Sequence, residues 1–354
     1  MSLSVTLLCD VLAFYAGSDM PLSLLCVSPS FRLACEERRV MEVGSWGFCL
    51  AGDVSRRVMW RPSVPLRKRC VGDEVCPVAW WCNRPAPNSC EAPPVRLDLA
   101  AASLFHSAHL SVAFLFDSLV ELTLRRAPIK DVNVLGRLPA LRKLELVQAQ
   151  VVDSGIIGLS ESRSLAEVDL WGCAALTNVS PLGKVFTLRK LVLAETNVCD
   201  DGIAGLVDGL SLDEVNLEMC TKVKSVGFFG RLPRLRKLLL VATSVENKGV
   251  VGLGSSTSLV EIDLWGCSAV DDVNPLGMIP TLRKLVLFGT SVTDEGLRGL
   301  RSSRGLEEID LTRCEAVTEA ETLAKLPTLR HTVLLHTSIR DVSELLLMGV
   351  TVTI

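Results

Sequence analysis

The tetrapeptide LRKL begins at Leu141, Leu188, Leu235 and Leu282, and a worn copy, LRHT, begins at Leu329, each start 47 residues after the last. A fixed interval constrains architecture more than composition can, because a chain that repeats one supersecondary unit must stack the copies. Between these starts lie segments of the same kind: LAEVDLWGC from Leu165, LDEVNLEMC from Leu212, LVEIDLWGC from Leu259 and LEEIDLTRC from Leu306. The unit is therefore a 24-residue repeat followed by a 23-residue repeat, both reading L-x-x-L-x-L-x-x-[CT], with Val or Ile allowed at the second Leu.

The x-L-x-L-x part alternates with period two, the signature of a short half-buried strand. Such a strand cannot bury its apolar face alone. Stacked in parallel about 4.8 Å apart, the strands make one long sheet over a continuous core. The first, fourth and sixth positions supply that core, as in Leu188, Leu191 and Leu193, or Leu259, Ile262 and Leu264.

This pattern resembles the leucine-rich repeat family over ten consecutive repeats from Leu119 to the carboxyl end, with a degenerate copy over residues 94–118 (PPVRLDLAAAS). The alternation of LRKLVLFGTSVTDEGLRGL with LVEIDLWGCSAVDDVNPLG is most similar to the leucine-rich repeat proteins of trypanosomes and other kinetoplastids. The resemblance implies an α/β solenoid with a curved parallel sheet on its concave face and short helices and turns on its convex face. It also implies an intracellular, cytoplasmic regulatory or adaptor role; within that group, regulation of an adenylate cyclase is one suggestion. Some of these relatives carry a RING zinc module ahead of the repeats. This chain departs from that pattern, so ubiquitin-ligase activity is not carried over.

The ninth position is Cys in the 23-residue type and Thr in the 24-residue type. Cys173, Thr196, Cys220, Thr243, Cys267, Thr290, Cys314 and Thr337 thus run in order along the stack. A small donor there suits the backbone carbonyls of the turn leaving the strand. Successive cysteines lie two layers apart, on the order of 10 Å, beyond the roughly 7 Å alpha-carbon limit of a disulfide. They read as structural thiols, and a metal site fails on the same distance.

On the convex side, D-x-G-[LIV]-x-G-L recurs at Asp153, at Asp294 and, with a slipped Asp pair, at Asp200–Asp201, with Asn247 in the equivalent place. An Asp or Asn before a short apolar run reads as a helix N-cap. SPLG at Ser180 and NPLG at Asn274 suit an N-cap with Pro in the first turn.

The second, third, fifth, seventh and eighth positions face outward from the strands. The third runs Lys143, Glu167, Lys190, Glu214, Lys237, Glu261, Lys284, Glu308, so each Lys is expected to meet a Glu on both sides, with the second-position Arg142, Arg189, Arg236 and Arg283 in reach. This reads as a solvated ladder that fixes register. The fifth and seventh positions are more informative. Trp171, Val192, Leu239, Val241, Trp265, Val286 and Phe288 point away from the core, with Glu218 and Asp263 among them. Asp169, Asp263 and Asp310 are expected as a polar rim. A contiguous outward apolar patch containing Trp marks an interaction surface, so this is the candidate site for a protein or peptide partner.

Residues 1–94 have another composition, with eight of the thirteen cysteines, four of the six tryptophans and nine of the sixteen prolines, and no period. They read as a poorly ordered segment or as translation outside the proper frame, with the solenoid occupying residues 95–354. Cys70, Cys76, Cys82 and Cys90 lack the close pairs of a structural zinc site. The start has no Lys or Arg before its apolar stretch, unlike a secretory signal. No apolar run reaches membrane-spanning length.

A net charge of −3 gives no basic surplus for nucleic acid. No G-x-S-x-G, H-E-x-x-H or phosphate-loop motif is present. The expectation is a monomeric, non-enzymatic scaffold without cofactor. Two alternatives stand beside it: a substrate-recruiting arm of a ubiquitin-ligase-like or other enzyme complex, and a secreted or surface receptor.

Overall fold

The computed structural model describes residues 119–354 in full and, before them, the backbone of β1 (Gly47–Leu50), β2 (Arg57–Arg61) and β3 (Val95–Leu99). From Leu119 the chain obeys its sequence period. β4 (Leu119–Leu124) is followed by β5 (Lys143–Glu145), β6 (Glu167–Asp169), β7 (Lys190–Val192), β8 (Glu214–Asn216), β9 (Lys237–Leu239), β10 (Glu261–Asp263), β11 (Lys284–Val286), β12 (Glu308–Asp310), β13 (His331–Val333) and β14 (Thr351–Thr353). The strands pair in chain order, parallel from β2 onward. Glu261 faces Lys237 on one side and Lys284 on the other, so the register repeats with the 47-residue unit.

The core follows directly. From β4 to β13 the middle residue of each strand and the leucines flanking it are sealed, as Leu259, Ile262 and Leu264 show at 0% exposure. One apolar cluster runs from Leu119 to Val350, so each layer buries its neighbours' faces.

Leaving each strand, the chain turns at the eighth position of the repeat. That residue is left-handed in all ten repeats, with φ between +53° and +71°. Only Gly172, Gly266 and Gly289 are glycines there. Arg126, Gln148, Glu195, Met219, Ala242, Arg313 and His336 hold the same strained conformation, because the stacked strands on either side dictate it.

The coat opposite the strands alternates as the two repeat lengths imply. Three repeats of the 24-residue type form a turn of α-helix and then a 3-10 turn, as at Asp294–Leu297 and Arg298–Ser302, while the repeat from Leu141 forms two 3-10 turns, Asp153–Gly155 and Ile157–Glu161. The 23-residue type forms a 3-10 turn alone, as at Asn274–Met278, except from Leu306, where the turn Glu321–Ala324 is α-helical. The expected N-caps are not caps. Asp153 accepts from the backbone N–H groups of Thr177 and Asn178 at 2.8 and 3.0 Å, and Asp200 from Lys224 and Ser225. Asn247 holds Asp271 and Asp272 in the same way, and Asp294 holds Thr318 and Glu319. These side chains clamp the following repeat. Their own turns start one residue earlier, where Thr293 supplies the cap by accepting from Gly296. Ser180 and Asn274 also reach forward, accepting from the N–H groups of Gly205 and Gly299.

The glycine of D-x-G has the complementary duty. A Cβ on Gly296 would lie 1.9 Å from the Asp271 carbonyl oxygen, so only glycine lets this turn settle on the previous repeat.

Candidate functional site

The residues flanking each strand's buried centre face solvent together. Their charged members pair, though not symmetrically. Lys190 reaches Glu214 at 3.0 Å, Lys237 reaches Glu261 at 3.3 Å and Lys284 reaches Glu308 at 3.9 Å, each on the following strand only. Lys143 instead bonds Glu145 on its own strand at 2.7 Å. The expected Glu on both sides is therefore corrected: one ammonium satisfies one carboxylate at a time. Of the second-position arginines, Arg283 pairs with Glu307 at 3.0 Å, while Arg142, Arg189 and Arg236 make no ion pair among the described residues. Exposed pairs of this kind contribute about 0–1 kcal/mol each, so they tune register more than stability.

The three aspartates expected as a rim are half-buried, and each lends one oxygen to the chain. Asp169 accepts from the Trp171 N–H and Asp263 from the Trp265 N–H, both at 2.9 Å, and Asp310 from Thr312 at 2.8 Å. Asn216 does the same for Glu218 at 2.8 Å. These side chains turn back on the chain and fix the seventh residue. Burial pushes the carboxyls of Asp169 and Asp263 up, against the pull of those N–H donors.

The apolar residues fall into two groups. Trp265 and Phe288 meet edge to face, with ring centroids 5.3 Å apart and planes at 80°. The Arg313 guanidinium lies 5.6 Å from the Phe288 centroid. Leu239 on β9 and Val241 at its exit precede them and Val286 sits on β11, all half-buried. Trp265 is 47% exposed, a large value for so bulky an apolar side chain. Trp171 at the exit of β6 and Val192 on β7 are half-buried. Trp171 lies four strand steps from Trp265, about 19 Å. Ala194 between them is buried, and Asn216 and Glu218 on β8 and its exit divide the two groups.

Behind this face the ninth-position residues form a buried polar ladder. Cys173 donates to the Leu146 carbonyl, Cys220 to Leu193, Cys267 to Leu240 and Cys314 to Leu287, at 2.9–3.1 Å. Thr196, Thr243, Thr290 and Thr337 donate to the carbonyls of Leu193, Leu240, Leu287 and Leu334. All five cysteines among the described residues are free. Burial pushes the Cys173 thiol up to about 12, and those of Cys220, Cys267 and Cys314 in the same direction.

Among the described residues no cluster of His, Cys, Asp or Glu could hold a metal ion. No helix among them is long and apolar enough to cross a membrane. The zinc and disulfide readings of Cys70, Cys76, Cys82 and Cys90 fall outside the described residues.

An internalin (inlF) from Listeria monocytogenes superposes with a TM-score of 0.50 at 15% identity, covering 73% of this chain and 77% of that one. The fold is a leucine-rich repeat solenoid. A second internalin, C2 (inlC2) of the same species, gives 0.37 at 20% identity over 55% of this chain and 74% of its own. The plant peptide hormone receptor RGFR1, in complex with RGF2, gives 0.39 at 17% over 69% and 48%. No protein-family model and no curated protein matches the chain.

Two features of the leucine-rich repeat solenoid escaped the sequence reading. The left-handed eighth position was hidden because most repeats place a larger residue there. Arg313 was missed because its role depends on lying beside Phe288, 25 residues away in the chain.

Proposed function

We propose that this solenoid is a non-enzymatic scaffold or adaptor that binds a protein or peptide on its strand face, at the Leu239, Val241, Trp265, Val286 and Phe288 patch. The observation that carries the reading is the Trp265–Phe288 pair, presented to solvent at the exits of β10 and β11. The Lys–Glu pairs elsewhere on the face neutralise one another, whereas an exposed Trp backed by a half-buried Phe gains by being covered. Trp171 and Val192 form a secondary contact for a partner long enough to pass Glu218.

The test is recovery of partners from native extract by the full chain and by its Trp265→Asp and Trp171→Asp variants, with circular dichroism confirming an unchanged fold. A specific partner held by the native chain, lost with Trp265→Asp and weakened with Trp171→Asp supports the reading. Equal recovery by all three removes the patch.

A further inference from the structure

The eighth-position row beside the patch is uneven in a way that defines a ligand. From the exit of β8 to that of β12 it reads Met219, Ala242, Gly266, Gly289, Arg313. The three middle residues carry a single methyl group between them. A Cβ on Gly289 would meet nothing within 4 Å, and one on Gly266 nothing nearer than 3.7 Å, so the space above them is open. Val241, Trp265 and Phe288 stand at the seventh position, directly before these three small residues. Met219, 48% exposed, stands at one end and Arg313 at the other.

The two ends carry opposite, unspent charge. Arg313 has no ion pair among the described residues. Asp310, the nearest carboxylate before it in the chain, is committed to the Thr312 N–H. The guanidinium lies against Phe288 and Arg313 is exposed, so a carboxylate arriving from solvent can reach it. At the Met219 end, Glu195 and Glu218 likewise make no ion pair among the described residues. The lysines and glutamates of the third position, by contrast, largely cancel one another.

From these features we infer that the ligand is an extended peptide segment lying across the strands, with an acidic group on Arg313, apolar side chains over Val241, Trp265 and Phe288, and a cationic residue at Glu218. The inference rests on the strand-face reading above and specifies its partner. Four strand steps span about 19 Å, which an extended chain covers in roughly six residues. Arg313 serves a carboxylate from either of two sources, an internal Asp or Glu side chain or a chain-terminal carboxyl group.

A displayed library of random heptapeptides, panned on the full-length chain, tests this. Parallel pannings use Trp265→Asp, Arg313→Glu and Glu218→Lys. The expected native selection is a peptide with an acid at one end, one or two large apolar residues within, and Lys or Arg at the other end. Arg313→Glu should abolish the acidic preference, and Glu218→Lys the basic one. A synthetic copy of the selected peptide should bind Arg313→Glu at least about tenfold more weakly than the native chain. Amidated and free-acid copies then separate the sources: equal binding assigns an internal side chain, and binding by the free acid alone assigns a terminal carboxyl group. Selection that depends on Trp265 but shows no charge preference, or the same preference on Arg313→Glu, overturns the inference and leaves the patch standing. Selection with no dependence on Trp265 overturns both.

Discussion

Thr243 and Cys267 donate to the same oxygen, the carbonyl of Leu240, at 2.9 and 3.1 Å, while their own side chains lie 3.3 Å apart. Thr196 with Cys220 and Thr290 with Cys314 repeat the arrangement on Leu193 and Leu287. The alternation of Cys and Thr in the sequence is therefore one hydrogen-bonded unit per 47 residues. Cys267→Ser should keep it. Cys267→Ala should lose about 1 kcal/mol, read from denaturant unfolding.

The same burial makes these thiols poor nucleophiles, since the thiolate is the reactive form. Brief alkylation of the native chain near pH 8, mapped by peptide mass spectrometry, should label the partly exposed Cys199. It should spare Cys173, Cys220, Cys267 and Cys314 until denaturant is added.

Ala242 sits at φ +53°. A left-handed conformation costs a non-glycine residue about 1–2 kcal/mol, and glycine gives back about 0.4–1 kcal/mol through the unfolded chain. Ala242→Gly should therefore stabilise by about 0.5–1 kcal/mol and raise Tm by a degree or two. The same substitution in an ordinary turn would lower it.

Thr332 occupies the strand centre that Leu, Ile or Val fills in β5 to β12, and its buried hydroxyl has no partner. Thr332→Val keeps the shape and removes an unsatisfied group. It should stabilise by about 1 kcal/mol or more, measured by calorimetry on the full chain.

Asp263 pays for burial with a raised carboxyl pKa, although its oxygen fixes the Trp265 N–H. With the folded pKa above the unfolded one, the ionised carboxylate opposes folding at pH values above the folded pKa. That opposition is relieved as pH falls toward the unfolded value, near 3.9. Asp263→Asn keeps the acceptor, as Asn216 does on β8. It should stabilise at pH 7 and lose that advantage below about pH 4. Asp263→Ala should destabilise at both. Asp153 works in the opposite direction. Burial raises its carboxyl pKa, but the Thr177 hydroxyl and the Thr177 and Asn178 N–H groups together outweigh it and hold it low. Its clamp on the next repeat persists above the unfolded pKa and is lost as acid carries pH through the lower folded value.

The sequence made the stack legible because spacing alone places Leu191, Val215 and Leu238 in one layer and Lys190 opposite Glu214. The clamp by Asp153, Asp200, Asn247 and Asp294 was not legible. An N-cap and an inter-repeat acceptor use the same residue one position apart, and only the stacked neighbour decides between them. The outward direction of Trp265 and Phe288 followed from alternation, whereas the gap between Trp171 and Trp265 needed the buried Ala194 and the intervening Glu218 to be seen side by side.

Photo-crosslinking of the full chain in native extract decides whether the strand face is the binding surface. Benzoylphenylalanine would replace Phe288 in one sample and Val251, exposed on the opposite coat, in another. A discrete adduct is expected from position 288, lost with Trp265→Asp, and none from position 251. An adduct from position 251 alone would contradict this and move the binding surface to the other side of the solenoid.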